Sequence, residues 1–263
     1  MSKRRTYYVP LLWLLLSTKR STRALTVFTL FFVTPEQLKQ SEIEVSGSEG
    51  RHAISVLRIK VGEVIRLADG VGNWVEGEVT SIGKDKFSIS VAVRGSDRIN
   101  KPSVTVAQAL LKGENQRAAL DQLVQAGVDT IIPWRAARSV GVIDKREKWQ
   151  EVIYAAAKQS RRSMLSEINS MVDAEGLVVQ VAKYEKSIVL HEGATAKLTQ
   201  VLNLESSKEL LVIVGPEGGL THEEVAALMA AGADPVRLGD PVIRADLAGA
   251  LAIAAINALT GNW

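Results

Sequence analysis

The chain has 263 residues, of which 46% are hydrophobic and 23% charged, a composition typical of a folded protein with one large domain or two modest ones. It has no cysteine and only three histidines, which excludes disulfides and thiol nucleophiles and argues against a metal-dependent mechanism. The net charge of +3 identifies no partner, because six basic residues precede Glu36 and the remainder carries 26 basic against 29 acidic side chains. A case for nucleic-acid binding therefore depends on local basic clusters.

Residues 1–25 form a predicted extension with a basic start and an apolar run from Tyr7 to Leu16, like the front of a signal peptide. The run has no small-residue cleavage site and is shorter than the roughly 20 residues that a membrane span needs. Three interpretations stay open: an extension outside the folded body, a segment packed on the body or on a partner, and a segment for export or anchoring.

Short apolar runs from about Thr26 to Val93 predict a small antiparallel barrel. The runs V-F-T-L-F-F-V, V-I-R-L-A-D-G, W-V-E-G-E-V and F-S-I-S-V-A-V are separated by turn sequences such as D-G-V-G-N and G-K-D. One helix is predicted within the barrel, at S-E-G-R-H-A-I-S-V-L-R, with Ile54 and Leu57 or Val56 on one face.

The polar stretch from Arg94 to Ser103 precedes a change of period, so a domain boundary is predicted there, between residues 26–96 and residues 97–263. Beyond it, apolar strands alternate with helices, which predicts a parallel α/β sheet. The helices are predicted from about Asn115 to Ala126, Lys148 to Ser160 and Thr221 to Ala231, with a last helix ending near Leu259. Ligands bind such sheets at the carboxyl ends of strands, here after Leu111, Leu190, Val214 and Leu238.

The turn G-P-E-G-G, from Gly215 to Gly219, joins a predicted strand to a helix that Thr221 and Glu224 begin as a capping box. The lysine of a phosphate-binding loop and the dinucleotide fingerprint are both missing. Glu217 would also repel a phosphate at the start of the helix that follows. The turn therefore suits a phosphate-free ligand, with a tight connection that binds nothing as the alternative.

A second glycine turn, in L-G-D-P-V-I-R-A-D-L, begins an alanine-rich helix with Arg244 and Asp246 at its start. The small residues of that helix allow close approach to the sheet or to a second subunit. The plain interpretation of Arg244 is a surface ion pair with Asp246, which contributes little to stability.

Together these motifs resemble the SPOUT superfamily of trefoil-knot methyltransferases, and within it the small-subunit (16S) ribosomal RNA uracil-N3 methyltransferases. The resemblance runs from about Phe28 to the C-terminus and includes H-A-I-S-V-L-R-I-K-V-G-E-V-I-R-L-A-D-G, A-L-L-K-G-E-N-Q-R-A-A-L, A-A-K-Q-S-R-R, L-H-E-G, G-P-E-G-G and L-G-x-x-V-I-R. It implies a PUA-like RNA-binding barrel followed by a knotted α/β domain that forms a homodimer, with S-adenosyl-L-methionine as cofactor, no metal and a cytoplasmic location without a membrane partner.

The resemblance also implies the site residues. The methyl donor is expected to contact three loops, formed by Leu190, His191 and Glu192; by Gly215, Pro216, Glu217, Gly218 and Gly219; and by Leu238, Gly239, Val242, Ile243 and Ala245. Arg244 is the expected catalytic residue, stabilising charge on the uracil oxygens. The family usually follows this arginine with a hydroxyl-rich triplet, whereas this chain has Ala245, Asp246 and Leu247. The general base is unassigned, with Asp246 one candidate.

Local cations are expected to hold the RNA. They are Arg51, Arg58, Lys60, Lys112, Arg138, Arg161 and Arg162, with Arg117, Arg135 and Lys158 as further members. A solvated charged face is the plain alternative for each. Three other functions stay open: a non-catalytic ribosome assembly factor, a methyltransferase acting on another RNA position, and a dinucleotide-dependent enzyme, which the missing fingerprint disfavours.

Overall fold

The computed structural model describes residues 29–97, 101–140, 146–201 and 208–263. The predicted extension, residues 1–25, lies outside this part of the chain. The described residues form two sheets, one on each side of the polar stretch near residue 100. Among them, none of the helices combines the length and the apolar character that crossing a membrane requires.

The first sheet has five strands in the order β1-β3-β4-β5-β2. They are β1 (Leu30–Phe32), β2 (Glu42–Val45), β3 (Val64–Ala68), β4 (Asn73–Ile82) and β5 (Phe87–Ser96). Its pairs are antiparallel except β1 with β3, which is parallel, so the expectation of an all-antiparallel barrel is wrong at this edge. Strand β2 and the short helix α1 (Pro35–Leu38) were not predicted.

The helix predicted inside the barrel is present as α2 (Gly47–His52), which continues into a π-helical turn, Ala53–Leu57. Its buried side is formed by Ala53, while Val56 is 64% exposed and Leu57 42% exposed. Val56 and Leu57 therefore point largely to solvent, while Ile54, the third residue of the predicted face, is half-buried. The barrel interior is filled instead from the strands, by side chains such as Phe31, Ile43, Leu67 and Phe87.

The second sheet has the order β12-β10-β11-β6-β7-β8, with β9 also paired to β7. Its strands are β6 (Ser103–Ala109), β7 (Thr130–Arg135), β8 (Glu167–Ile168), β9 (Val172–Asp173), β10 (Lys186–Leu190), β11 (Glu209–Val214) and β12 (Ala233–Val236). Every pair is parallel, which confirms the predicted α/β sheet. Strands β8 and β9 were not predicted.

Helices cover both faces of this sheet. They are α3 (Glu114–Ala126), α4 (Arg146–Ser160), α5 (Ala174–Val181), α6 (Leu198–Val201), α7 (His222–Ala230) and α8 (Ala245–Leu259). In β11, Leu210 and Val212 face the core beneath α3, α4 and α8, whereas Leu211 and Ile213 face the core beneath α5 and α7. A strand covered on both faces needs a continuous apolar run, which is what β11 has.

The chain crosses itself after β12. This strand lies at the sheet edge beyond β10, yet α8, which follows it, packs against β11 and β6. On the way, the Arg237 amide donates to the Ala196 carbonyl at 2.9 Å, so the segment after β12 lies against the connection between β10 and β11. This crossing of two connections is what the predicted trefoil knot requires.

The two domains touch through charged and polar groups. The Lys158 ammonium lies 3.0 and 2.9 Å from the two carboxylate oxygens of Glu49, and it faces the rings of Phe31 and Tyr154. The Leu165 amide donates to the Gly70 carbonyl at 2.8 Å. Lys158 therefore links the two domains, which corrects its expected contact with RNA phosphate.

Helix α8 lies unusually close to its neighbours at Gly249. A Cβ atom at this position would lie 2.8 Å from Cδ2 of Leu123 and 3.4 Å from Cγ2 of Val214. The small residue therefore sets the distance of α8 from both α3 and β11.

We expect Gly249→Leu to lower the free energy of unfolding by about 1–3 kcal/mol, because the added side chain must displace well-packed neighbours. Ala258→Leu, on an exposed position of the same helix, is the matched control and should be nearly neutral, since alanine and leucine have similar helix propensities. Chemical denaturation measures both. Equal stability of the two variants would contradict close packing at Gly249.

Candidate functional site

The candidate site is a cavity of about 470 Å³ at the carboxyl ends of β10, β11 and β12. The three loops predicted to contact the methyl donor all line it, and every donor-site residue named from the sequence is among the lining residues. Sequence reasoning missed a further set of lining residues: Val214, Leu220, Val236, Arg237, Asp240, Pro241 and Ala248. Asp246, named from the sequence as a candidate general base, also lines the cavity. The volume lies within the range usual for small-molecule sites.

The turn from Gly215 to Gly219 is held by its own main chain and by α7. The Gly219 amide donates to the Pro216 carbonyl at 2.9 Å, and Gly219 has φ of +70°, which favours glycine. The predicted capping box is present: the Glu224 amide donates to the Thr221 hydroxyl, and the Thr221 amide donates to the Glu224 carboxylate. The turn therefore meets a fixed helix start.

Glu224 has a second role, because its other carboxylate oxygen accepts from the Ala137 amide at 2.7 Å. This bond ties the loop after β7 to α7.

Glu217 faces the loop before α3 and not the start of α7, which corrects the sequence-based expectation. Its carboxylate accepts from the Lys112 amide at 3.1 Å and from the Asn115 side-chain amide at 2.9 Å. Partial burial alone would raise the pKa of Glu217, but these hydrogen bonds and the charge of Lys112 outweigh it and lower the pKa. The carboxylate is therefore ionised at neutral pH and bound to the loop after β6.

Arg244, the expected catalytic residue, lies at the rim of the cavity with a side chain that is 71% exposed. Its guanidinium donates to both carboxylate oxygens of Asp246, at 3.0 and 3.1 Å, and to the side-chain oxygen of Asn115 at 3.1 Å. The ion pair between Arg244 and Asp246 that the plain interpretation predicted is therefore present. The guanidinium nevertheless faces the same cavity as the three loops.

Arg138, expected to contact RNA, is exposed and also touches the glycine turn. Its guanidinium donates to the Gly218 carbonyl at 3.0 Å, and a Cβ atom on Gly218 would lie 3.2 Å from the Cβ of Arg138. Gly218 therefore makes room for this arginine, which supports the wall of the cavity.

The two adjacent arginines of A-A-K-Q-S-R-R have different environments. Arg161 is exposed, whereas the Arg162 guanidinium donates to the carbonyls of Val124 and Val128 at 3.1 and 2.8 Å and lies 3.8 Å from Asp129. Burial lowers the pKa of Arg162, and burial also raises the pKa of Asp129 despite the neighbouring arginine. Arg162 thus has a structural role in place of the predicted phosphate contact.

The other cations expected to bind RNA are exposed. They are Arg51, Arg58, Lys60, Lys112, Arg117 and Arg135, together with Arg161. No cluster of His, Asp and Glu able to hold a metal ion occurs within the described ranges of the chain.

We expect Arg162→Ala to lower the free energy of unfolding by about 3 kcal/mol, since it leaves Asp129 and two carbonyls without their partner. Arg161→Ala, one residue away and exposed, should change it by less than about 0.5 kcal/mol. Thermal or chemical denaturation of the two variants tests the contrast. Similar stabilities would show that Arg162 is not a structural residue.

Comparison with known proteins agrees with this architecture. Residues 99–257 match the family model described as an RNA methyltransferase domain, and residues 45–92 match the RNA methyltransferase PUA domain. A structure from Neisseria gonorrhoeae, a ribosomal RNA small subunit methyltransferase E bound to S-adenosyl methionine, shares the fold with a TM-score of 0.78, at 24% identity over 89% of this chain and 98% of that one. The fold is that of a PUA-containing RNA methyltransferase.

Sequence relatives narrow the class. The ribosomal RNA small subunit methyltransferase E of Mycobacterium bovis is 36% identical over 247 residues, which cover 90% of this chain and 94% of the relative. The enzyme of the same name from Bacillus subtilis is 28% identical over 86% of this chain and 93% of the relative. The chain belongs to the ribosomal RNA small subunit methyltransferase E family.

Proposed function

We propose that this protein transfers a methyl group from S-adenosyl-L-methionine to N3 of a uridine in small-subunit (16S) ribosomal RNA. The convergence of three loops and Arg244 on one cavity is the observation that carries the proposal. The mycobacterial relative is named for small-subunit ribosomal RNA, and the neisserial structure is described with the methyl donor bound.

The lining of the cavity fits this donor. The apolar side chains of Leu190, Val214 and Leu238 suit an adenine ring, while glycine-rich loops offer main-chain groups for hydrogen bonds. The Glu192 carboxylate has no hydrogen-bond or ion-pair partner among the described residues, so it is free to accept from ribose hydroxyls or an ammonium group. When bound, S-adenosylmethionine supplies an electrophilic methyl group on a sulfonium cation.

Arg244 is the proposed catalytic residue. Loss of the N3 proton leaves negative charge on the uracil oxygens, and a guanidinium at the rim of the cavity is placed to stabilise that charge as it develops. Both carboxylate oxygens of Asp246 accept hydrogen bonds from the Arg244 guanidinium. We therefore assign Asp246 to orienting the guanidinium and not to removing the N3 proton.

We propose that residues 26–96 form the RNA-binding unit and residues 97–263 the methyl-transfer unit. The exposed basic side chains, with Arg161 at the domain junction, would contact phosphates. A ribosomal RNA substrate supports the further proposal that the protein acts in the cytoplasm.

A homodimer through the knotted domain is also part of the proposal. Leu247 and Leu251 lie four residues apart on α8, so they share one face, and they are 39% and 40% exposed. A second copy of this helix would cover them.

The proposed reaction predicts that cells lacking this protein lose 3-methyluridine from small-subunit ribosomal RNA. Mass spectrometry of nucleosides from purified small subunits measures the loss, and complementation with the wild-type chain should restore the nucleoside. Full retention of 3-methyluridine would refute the assigned reaction. Failure to bind S-adenosylmethionine in calorimetry would favour a non-catalytic assembly factor.

We expect Arg244→Ala to lower kcat by about 10²–10³-fold, because the charge developing on the uracil loses its stabilising group. The affinity for S-adenosylmethionine, measured by calorimetry, should change less. Lys183→Ala removes an exposed charge remote from the cavity and serves as the control. A wild-type kcat in Arg244→Ala would remove Arg244 from the mechanism.

A further inference from the structure

Asn115, in the first turn of α3, lies between the glycine turn and the catalytic arginine. Its side-chain nitrogen donates to the Glu217 carboxylate at 2.9 Å, and its side-chain oxygen accepts from the Arg244 guanidinium at 3.1 Å. One amide therefore joins two of the three loops of the cavity, although it comes from a fourth segment that is not among the residues lining the cavity.

The charges of the two partners fix which way the amide points. A carboxylate only accepts hydrogen bonds and a guanidinium only donates them, so the NH₂ group of Asn115 must face Glu217 and its oxygen must face Arg244. The flipped amide would lose both bonds. An asparagine is therefore matched to this position in a way that aspartate or alanine is not.

Asn115 is itself held in place from several sides. The Glu217 carboxylate also accepts from the Lys112 amide, and the Leu111 amide donates to the side chain of Gln116, which is buried. Helix α3 then packs on α8 where Leu123 meets Gly249. The amide is therefore presented from a packed element, which is the requirement for a group that orients others.

Arg244 needs such a second contact. Its side chain is largely exposed, and Asp246, only two residues away on the same helix start, holds the guanidinium from one side. A single partner leaves a long, flexible side chain free to move together with that partner. Asn115 adds a contact from a different element and so defines the position of the guanidinium over the cavity.

We propose that Asn115 is a positioning residue for methyl transfer, coupling the donor-binding turn at Glu217 to the catalytic Arg244. This inference rests on the proposed function. Its consequence is that the placement of the glycine turn and the placement of the arginine depend on one side chain, and that the two effects can be separated by substitution.

Two variants test the proposal. Asn115→Ala loses both bonds, so kcat should fall by about 10–100-fold, the cost typical of a misplaced catalytic group. Asn115→Asp keeps an acceptor for Arg244 but sets a carboxylate against Glu217. The Kd for S-adenosylmethionine should therefore rise at least about tenfold. The kcat at saturating donor should fall less than in the alanine variant. Gln125→Ala, on the exposed side of α3, is the matched control.

The measurements are kcat on ribosomal RNA, Kd for S-adenosylmethionine by calorimetry, and thermal stability of the full chain. Positioning is supported if Asn115→Ala loses mainly kcat and Asn115→Asp loses mainly affinity for S-adenosylmethionine, both at unchanged stability. Wild-type kcat and Kd in both variants, or losses that only follow a lowered melting temperature, would overturn it. An inactive wild-type chain would instead refute the proposed reaction, and the calorimetric comparison would still test the link to the donor turn.

Discussion

The site depends on three parallel strands that end side by side. Because β10, β11 and β12 are adjacent and parallel, the loops that follow them leave the sheet at one edge and can meet over one cavity. Strand β11 fixes this arrangement, since it is paired on both sides and covered on both faces. The cavity thus results from ordinary α/β packing combined with the crossing connection that follows β12.

Charge on the cavity rim is organised as a chain of partners. The contacts run from Asp246 to Arg244, then to Asn115 and on to Glu217. The Glu217 carboxylate also accepts from the main-chain amide of Lys112. Each carboxylate is satisfied by a group that holds it away from the centre of the pocket. The rim therefore presents the exposed guanidinium of Arg244 beside a cavity proposed to receive a sulfonium on one side and an acidic imide on the other.

Much of the fold and of the pocket could be predicted from the sequence. Apolar strand patterns with glycine turns place the loops after Leu190, Val214 and Leu238, and the loop after Leu111 was also expected at this edge, where Asn115 now lies. Pairing of β1 with β3 was not predictable, because turn residues report only local hairpins. Nor could local pattern tell Arg161 from Arg162, since the difference arises from Asp129 and from carbonyls far along the chain.

The crossing after β12 has a consequence for the order of folding. The segment that begins at Arg237 must pass the connection between β10 and β11 before α8 can dock on β11 and β6. Contacts between distant parts of a chain are costly to form early, because loop closure must precede them. Since Arg244 stands at the head of α8, the proposed catalytic arginine reaches the cavity only when α8 packs against β11 and β6.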